Sequence, residues 1–255
     1  MRLVTWNVNS VKAREERLLA YLTQRAPDVL CLQEIKVEDG KFPLEACRML
    51  GYDAAVFGQR TYNGVAILSR TPLAEVQRGF ADGDDDPQAR FIAATTAGVR
   101  VMSVYVPNGQ TIGSEKFAYK LRWLERLGRH LRAALAPEGP AALCGDLNVA
   151  PEAIDVHDPA AWEGHVLCSP EERSALARAV HPGLVDVVRR LNPDARIYSW
   201  WDYRQLAFPK NHGLRIDHIL ASPPLAARAR AAGVDRDARK GKLPSDHAPV
   251  WAEFE

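Results

Sequence analysis

The stretch that decides the fold of this chain is residues 141–149, AALCGDLNV. The part from Ala141 to Gly145 is a short apolar run of the kind that fills a buried β-strand. Two polar residues, Asp146 and Asn148, follow at the end of that run. In sheets of the α/β class, ligands collect where strands end and loops begin. The stretch therefore predicts a buried strand that delivers a carboxylate and an amide to a site at the edge of a sheet.

The same pattern, an apolar run that ends in polar residues, recurs on both sides of this stretch. Apolar runs predict strands at Arg2–Trp6, Asp28–Gln33, Tyr52–Gly58, Gly64–Ser69, Arg90–Thr96, Arg100–Val106, Leu214–Ala221 and Ala248–Phe254. The dipeptides Asn63-Gly64 and Ala97-Gly98 predict hairpin turns. Helical periodicity predicts helices at Lys12–Gln24, near Leu44–Leu50, at Ser114–Leu135 with Ser114 as its cap, and near Pro170–Val180. The alternation predicts an α/β fold, and the absence of a linker-like segment predicts a single domain over residues 1–255.

Composition excludes several classes of protein. The chain has 255 residues, of which 47% are hydrophobic and 25% charged, so it is neither disordered nor fibrous. A net charge of +1 argues against a highly basic nucleic-acid coat protein, but not against a DNA-binding enzyme, whose positive charge can be a local patch. Neither an export signal nor a membrane-spanning apolar run is evident, and the four cysteines form no CxxC pair. We therefore expect a cytoplasmic protein with reduced thiols.

The most biased segment is Ala81–Pro87, ADGDDDP. We expect it to be a solvated acidic loop. A calcium site is a weaker alternative, because the segment lacks the glycine and the distal glutamate of an EF-hand loop.

Four carboxylates, Glu34, Asp146, Asp217 and Asp246, each adjoin an apolar run, and charges near a core must be paired or bound to a metal. Oxygen ligands without cysteine or paired histidines suit Mg²⁺ or Mn²⁺ rather than Zn²⁺. Donors suited to phosphate oxygens accompany them: Asn7, Asn148, Tyr105 and His247. Together they favour metal-assisted phosphoryl transfer to water. Taken singly, each has a structural interpretation: Asp217 could pair with Arg215, His247 could pair with Asp246, and Tyr105 and Trp200 could be core aromatics.

The ordered set of motifs resembles the exonuclease III family of abasic-site endonucleases, within the superfamily of endonucleases, exonucleases and phosphatases that includes DNase I. The motifs are WNVNS, LQEIK, YNGVAILSR, YVPNG, GDLNVAPEAIDV, SWWDYR, GLRIDHILAS and SDHAPV. They extend from Arg2 to about Trp251, nearly the whole chain. The GDLN and SDH segments are typical of the superfamily, whereas YVPNG, SWWDYR and RIDHIL favour its DNA-repair branch.

The resemblance implies a four-layer α-β-β-α sandwich of two packed mixed sheets flanked by helices. It also implies roles. Glu34 would be the principal ligand of Mg²⁺, for which Mn²⁺ would substitute, with Asn9 and Asp246 nearby. Asp146 would orient and deprotonate the attacking water. Asn7 and Asn148 would fix the water and the scissile phosphate. Asp217 would orient His247, which would donate a hydrogen bond to a phosphate oxygen. Tyr105 would contact the phosphate or assist the leaving oxygen.

Substrate contacts are also implied by the resemblance. Trp200, Leu214 and Ile216 match the place of a pocket for a flipped-out, base-less sugar, the alternative being that they are core residues. Arg90, Arg204 and Lys210 would contact phosphates. Two segments carry local positive charge, +4 in Ser114–Leu135 and +5 in Arg196–His247, and some of these basic residues could face away from DNA.

The implied function is Mg²⁺-dependent repair of double-stranded DNA by a monomer associated with the nucleoid. The enzyme would cut 5′ to an abasic site to leave a 3′-hydroxyl, remove 3′ blocking groups and digest 3′ ends. The alternatives are an RNA 3′-exonuclease or phosphatase of the superfamily, or a non-catalytic DNA-binding protein on this fold. Two departures from the family pattern leave the ratio of activities open: Leu167–Pro170 replaces a Phe-Leu-Pro run, and Asn9 stands where some relatives have Asp.

Overall fold

The computed structural model describes residues 1–84, 86–135, 139–181 and 183–255, and in that part of the chain it contains two six-stranded sheets. The first sheet has the order β11-β12-β1-β2-β4-β3 and the second β5-β6-β7-β8-β10-β9. The strands are β1 Arg2–Asn7, β2 Val29–Gln33, β3 Asp53–Phe57, β4 Val65–Ser69, β5 Ala74–Arg78, β6 Phe91–Thr96, β7 Val99–Tyr105, β8 Ala141–Asp146, β9 Val185–Asp186, β10 Asp217–Ala221, β11 Ala229–Val234 and β12 Val250–Phe254.

Seven α-helices connect these strands within the described residues: α1 Val11–Arg25, α2 Leu44–Met49, α3 Glu115–Ala134, α4 Pro170–Val180, α5 Val187–Leu191, α6 Ala207–Lys210 and α7 Pro223–Ala226. Ser114 caps α3, because its side chain accepts a hydrogen bond from the amide of Phe117. Among the described helices, none is both long and apolar enough to cross a bilayer.

The two sheets pack face to face, and helices cover their outer faces. Ile67 of the first sheet and Val101 and Ile219 of the second belong to one buried apolar cluster. Leu18 of α1 packs with the outer residues of the first sheet, and Leu124 of α3 with those of the second. This is the predicted four-layer α/β sandwich, and the fold class is confirmed.

The central strands bring their carboxyl ends to one edge of the sandwich. β1 runs parallel to β2 with Asn7 beside Gln33, and β7 runs parallel to β8 with Tyr105 beside Asp146. β10 is antiparallel to β8, so that its first residue, Asp217, pairs with Asp146. Polar residues from distant parts of the chain therefore meet at this edge.

The structure contains three strands that were not predicted, and a fourth strand begins later than predicted. β5, β9 and β11 were not predicted, because β5 is polar and exposed, β9 has two residues and β11 is rich in alanine. β10 begins at Asp217 rather than Leu214, because Leu214 forms only isolated bridges with Val156 and Trp200.

The two predicted hairpins form, but one has a different turn. Ala97 and Gly98 have φ of 49° and 74°, as a two-residue turn between β6 and β7 requires. β3 and β4 are instead joined by the longer segment 58–64. A Cβ on Gly64 would lie 2.4 Å from the side chain of Ile35, so this glycine allows close packing.

The acidic segment Ala81–Pro87 is not simply solvated, which corrects the expectation from sequence. The guanidinium of Arg126 on α3 pairs with Asp82, Asp84 and Asp86 at 2.9, 3.3 and 3.1 Å. Asp85 lies outside the described residues. Arg126 is therefore occupied with this segment, so that it does not contribute a free charge to a DNA-facing surface of α3.

Candidate active site

Three ligand atoms converge at the edge where the strands end. The side chains of Glu34, Asp146 and His247 each offer one atom, and these atoms all lie within 4.8 Å of one another. Glu34 follows β2, Asp146 ends β8 and His247 precedes β12. Only the packing of the two sheets brings these three residues together.

Asn7, at the end of β1, bridges two of these carboxylates. Its Nδ2 donates to Oε1 of Glu34 at 2.8 Å and to Oδ2 of Asp146 at 2.9 Å. The backbone carbonyl of Asn7 accepts a hydrogen bond from Oγ of Ser245 at 2.7 Å, which connects β1 to the segment that carries His247. Because both amide protons are used, this side chain has one defined orientation.

His247 is held by Asp217. Its Nδ1 lies 2.8 Å from Oδ2 of Asp217, and Ser199 donates to the same oxygen at 2.7 Å. Its Nε2 faces Oδ2 of Asp146 at 3.8 Å. Burial by itself lowers the pKa of His247, but the charges of Asp217 and Asp146 outweigh it and raise that pKa to about 10. The imidazole is therefore a protonated donor at neutral pH.

Asp146 is a buried carboxylate with a strongly raised pKa. Burial raises its pKa to about 7, with the charge of His247 opposing this effect and those of Asp217 and Glu34 adding to it. The backbone amide of Asn148 donates to its Oδ1 at 2.9 Å. A carboxylate with a pKa near neutrality is suited to accept a proton from water.

Asp246 is fully engaged beside these residues. Asn9 donates to one of its oxygens at 2.9 Å, and the indole of Trp200 donates to the other at 3.0 Å. Burial raises the pKa of Asp246, but the charge of His247 and these two hydrogen bonds outweigh it, so that the net shift is downward. Asp246 therefore remains a carboxylate.

Lys36 is a site residue that the sequence did not single out. Its ammonium lies 2.8 Å from Oε2 of Glu34 and 2.6 Å from Oδ1 of Asn9. The one available signal was its position two residues after Glu34 in the motif LQEIK.

The donor set fits a hard divalent cation. Glu34, Asn9 and Asp246 supply oxygen atoms, and the pairing of Lys36 with the first two shows that this position favours positive charge. Four carboxylates (Glu34, Asp146, Asp217 and Asp246) lie beside two directly neighbouring cations, Lys36 and His247, so that carboxylates outnumber these cations. An excess of negative charge in a largely desolvated site favours a further cation.

Tyr105 ends β7 beside the acidic group. Burial raises its pKa well above the usual value, and the charges of Glu34 and Asp146 raise it further, so that the hydroxyl stays protonated. The guanidinium of Arg90 lies 4.6 Å from the centre of the Tyr105 ring and donates to the Tyr105 carbonyl at 3.1 Å. Arg90 thus holds Tyr105 through both its ring and its backbone carbonyl.

The residues predicted to line a sugar pocket lie in one apolar cluster. Leu214 and Ile216 are 0% and 2% exposed, and Trp200 is partly exposed. Trp162 and Val166 belong to the same cluster, and the Trp162 ring meets that of Trp200 edge-on at 6.4 Å. Neighbouring side chains of the cluster therefore cover Leu214 and Ile216.

The other two predicted phosphate contacts, Arg204 and Lys210, are exposed on the segment that follows Trp200 and Trp201. The nearby side chains Tyr203 and Leu206 are also exposed. The structure thus leaves Arg204 and Lys210 accessible and keeps Arg90 closer to the catalytic residues.

Several site residues have backbone conformations that few side chains adopt. Asn9, Glu34, Lys36 and Asn148 have φ of 44°, 51°, 55° and 49°. Such left-handed conformations cost on the order of 1 kcal/mol or more each and persist where surrounding contacts hold them. They turn the chain sharply after β1, β2 and β8, and so place consecutive polar side chains toward the same edge.

Comparison with known proteins agrees with this arrangement. The model of the Endonuclease/Exonuclease/phosphatase family matches residues 4–247. Exodeoxyribonuclease III of Haemophilus influenzae is 39% identical over 266 residues, which cover 100% of both chains.

Two solved structures are similar over the whole chain. An AP endonuclease from Archaeoglobus fulgidus has a TM-score of 0.97 at 41% identity, covering 100% of this chain and 99% of that one. The 3′ phosphatase NExo from Neisseria, bound to a product DNA hairpin, has a TM-score of 0.98 at 43% identity with the same coverage. The chain therefore belongs to the endonuclease/exonuclease/phosphatase family and, within it, to the exodeoxyribonuclease III group of metal-dependent hydrolytic nucleases of DNA repair.

Proposed function

We propose that this chain is a Mg²⁺-dependent phosphodiesterase that acts on double-stranded DNA. It removes 3′-terminal phosphates and nucleotides, and it cuts 5′ to abasic sites to leave a 3′-hydroxyl. The observation that carries the proposal is the cluster of Glu34, Asp146 and His247, whose ligand atoms lie within 4.8 Å of one another. Relatives over the full length of the chain are named as an exodeoxyribonuclease, an AP endonuclease and a 3′ phosphatase.

Glu34 is the residue that would hold Mg²⁺, with Asn9 and Asp246 beside it. Mg²⁺ when bound supplies neutralisation of the negative charge on the phosphate during its displacement. Oxygen donors and the excess of negative charge support this ion, and Mn²⁺, which accepts the same ligands, is expected to substitute.

Asp146 is the proposed general base. It is 1% exposed, its Oδ1 is held by the amide of Asn148, and its raised pKa lets it take a proton from water at neutral pH. Asn7 holds the other oxygen and so keeps the carboxylate in one orientation.

His247 is the proposed donor to a non-bridging phosphate oxygen. Asp217 fixes its Nδ1, which leaves Nε2–H as the donor directed into the site. Asn148 and Tyr105 offer further neutral donors at the same edge, and the hydroxyl of Tyr105, which stays protonated, can donate to the leaving oxygen.

The packing of the apolar cluster around Leu214 and Ile216 bears on the choice of substrate. A terminal 3′-phosphate needs no pocket for a sugar, whereas a flipped-out abasic sugar needs space that Trp162, Val166 and Trp200 now fill. We therefore propose that 3′-terminal phosphoesters are hydrolysed faster than internal abasic sites, for which Trp162 or Trp200 must move.

The test compares three synthetic duplexes: a gapped duplex with a 3′-phosphate, a duplex with a stable abasic analogue, and an undamaged recessed 3′ end. Each is incubated with Mg²⁺, Mn²⁺ or EDTA. We expect hydrolysis with either metal, none with EDTA, and the highest kcat/KM on the 3′-phosphate. The proposal fails if the wild-type chain cuts none of the three with any divalent metal.

Trp162→Ala tests the part played by the apolar cluster. Because it opens space beside Trp200, we expect the ratio of abasic-site incision to 3′-phosphate removal to rise about 10-fold or more, the scale at which one pocket contact discriminates substrates. Trp123→Ala, a buried tryptophan in the core between α3 and the second sheet, is the matched control and should leave this ratio unchanged.

We further propose that the chain acts as a monomeric single domain in the cytoplasm, in association with DNA. The site draws on residues from Asn7 to His247, which supports a single catalytic unit over almost the entire chain.

A further inference from the structure

A buried ion pair lies beneath the active-site edge, and none of the catalytic roles proposed above involves it. Lys120 of α3 and Glu172 of α4 are both 0% exposed, and their charged groups are in direct contact. Lys120 belongs to the basic segment Ser114–Leu135, in which the sequence left open which residues face DNA, and the structure turns Lys120 inward. Burial lowers the pKa of Lys120, while the charge of Glu172 opposes that effect.

The ammonium of Lys120 also donates hydrogen bonds to two backbone carbonyls. It donates to the carbonyl of Asn108 at 3.0 Å and to that of Asn148 at 2.6 Å. With Glu172 as the third partner, every donor of the ammonium is used. A Cβ on Gly109 would lie 3.1 Å from Cδ of Lys120, so the loop after β7 rests directly on this side chain.

These two carbonyls belong to the loops that carry site amides. Asn108 and Asn148 are joined through their side chains, Nδ2 to Oδ1 at 3.1 Å. Asn148 has the left-handed φ of 49°, and its backbone amide donates to Oδ1 of Asp146 at 2.9 Å. The hydrogen bond from Lys120 therefore fixes the residue that orients Asp146.

Glu172 ties the same point to α4. Its Oε1 accepts from the amide of Ser169, whose hydroxyl accepts from the amide of Glu172, so that the two residues form a capping box. A buried ion pair is weak evidence for stability, because well-packed apolar residues often serve equally well. Apolar residues could not hold the two carbonyls.

We propose that Lys120, fixed by Glu172, is a positioning residue for hydrolysis: it holds the Asn108 and Asn148 carbonyls and thereby sets the Asn148 amide against Asp146. This inference rests on the proposed hydrolytic function. Because Lys120 is fully buried and its donors are used within the protein, its loss is expected to lower kcat while leaving the KM for DNA nearly unchanged.

The main variant is Lys120→Met/Glu172→Gln, which removes the carbonyl contacts without leaving an unpaired buried charge. We expect kcat on the 3′-phosphate duplex to fall about 10- to 100-fold, the scale of a small misplacement at a catalytic group, with KM within about 3-fold of the wild type. Hydrogen exchange at the Asn148 amide should accelerate about 10-fold or more, since an exchange-protecting contact is lost.

Two controls make the test decisive. Glu172→Gln keeps Lys120 and its hydrogen bonds to both carbonyls, with the amide oxygen of the glutamine as the third acceptor, and should retain kcat within about 3-fold. Arg126→Met breaks an ion-pair group on the same helix that touches no site loop, and should lower the melting temperature without changing kcat or exchange at Asn148.

The positioning role is overturned if the double variant keeps wild-type kcat and Asn148 exchange, or if Glu172→Gln loses as much kcat as the double variant while folded. It is also overturned if kcat falls only together with the melting transition. An inactive wild type counts against the proposed function alone, because exchange at Asn148 still reports on Lys120.

Discussion

Strand β10 separates two carboxylate clusters that differ in charge balance. Asp217 points into the space between the sheets, where it joins Glu34, Asp146 and His247. These four residues are called the catalytic cluster. The next residue, His218, points to the opposite face of the strand. There it meets the ion-pair cluster, which consists of Asp155, Asp186, Arg189, Arg215 and His218.

In the ion-pair cluster, two aspartates are matched by two arginines. Asp155 accepts from Arg189 at 2.6 Å and from Arg215 at 2.7 Å, and Arg215 also donates to Asp186 at 2.6 Å. Although burial raises the pKa of Asp186, hydrogen bonding to His218 and the charge of Arg215 outweigh it and hold that pKa well below its usual range. The pKa of Asp146, in contrast, is raised to about 7, chiefly by burial.

The contrast teaches that burial of a carboxylate does not by itself mark a function. Two aspartates with two arginines complete their own charge balance and serve to brace the fold. Carboxylates in excess of their cations are costly unless a ligand completes them. The following variants test whether the catalytic cluster contributes mainly to kcat and the ion-pair cluster mainly to stability.

The largest effect is expected from Asp146→Asn. It removes the proposed base, so kcat should fall about 10³- to 10⁴-fold, equivalent to about 4–5.5 kcal/mol. Because the wild-type residue is a buried charge, the variant should be at least as stable as the wild type. Steady-state hydrolysis of the 3′-phosphate duplex measures kcat, and urea unfolding measures the free energy of unfolding. A marked loss of stability in this variant would contradict the proposed difference between the two clusters.

The second-largest effect is expected from Asp155→Asn, which should lower stability rather than kcat. It leaves Arg215 and Arg189 short of a buried partner, and the free energy of unfolding should fall by about 3–5 kcal/mol. Urea denaturation measures this change. At a temperature where the variant is folded, kcat should remain within about 3-fold of the wild type, since a loss limited to stability is what a bracing role implies. A kcat loss as large as that of Asp146→Asn would contradict this assignment.

The two histidines provide a matched pair of smaller effects. His247→Gln should lower kcat about 10²- to 10³-fold, the cost of one pre-organised donor to a developing oxyanion. His218→Gln should leave kcat nearly unchanged and lower stability by about 1–3 kcal/mol, because a buried partner of Arg215 is altered. Parallel kinetics and thermal melts are sufficient, and equal kcat losses in both variants would show that the two clusters are coupled.

The smallest effect concerns pH in the metal-free protein. The folded-state pKa of His247 is raised to about 10, so its stabilising contribution is complete below about pH 6.5 and is lost as pH rises toward 10. The raised pKa of Asp146 acts in the same direction between about pH 4 and 7. Asp186, with its lowered pKa, acts oppositely and loses its contribution only below about pH 4.

Thermal melts in EDTA from pH 6 to 9 should therefore show a decline in the stability of the wild type, on the order of 1–3 kcal/mol. His247→Gln should flatten this decline, whereas Asp155→Asn should leave its slope unchanged. Parallel curves for the wild type and His247→Gln would show that His247 does not gain its proton affinity from folding.

Much of the fold followed from local pattern. Short apolar runs and helical periodicity identified the central strands and α3, because burial imposes these patterns on the residues themselves. The strand β11, with an alanine-rich sequence, escaped detection because its pairing with β12 comes from tertiary context. The same limit applied to Lys120 and Arg126, whose partners lie on separate segments of the chain.

The sequence by itself determined which polar residues stand at the ends of apolar runs, and so which carboxylates, amides and histidine are available for chemistry. Tertiary structure alone decided which of them share a site. Asp146 and Asp155 are nine positions apart in the printed sequence, yet one faces an excess of negative charge and the other two arginines. Electrostatic environment depends on neighbours in space, and these are set by the packing of a sheet built from both ends of the chain against a sheet built from its middle.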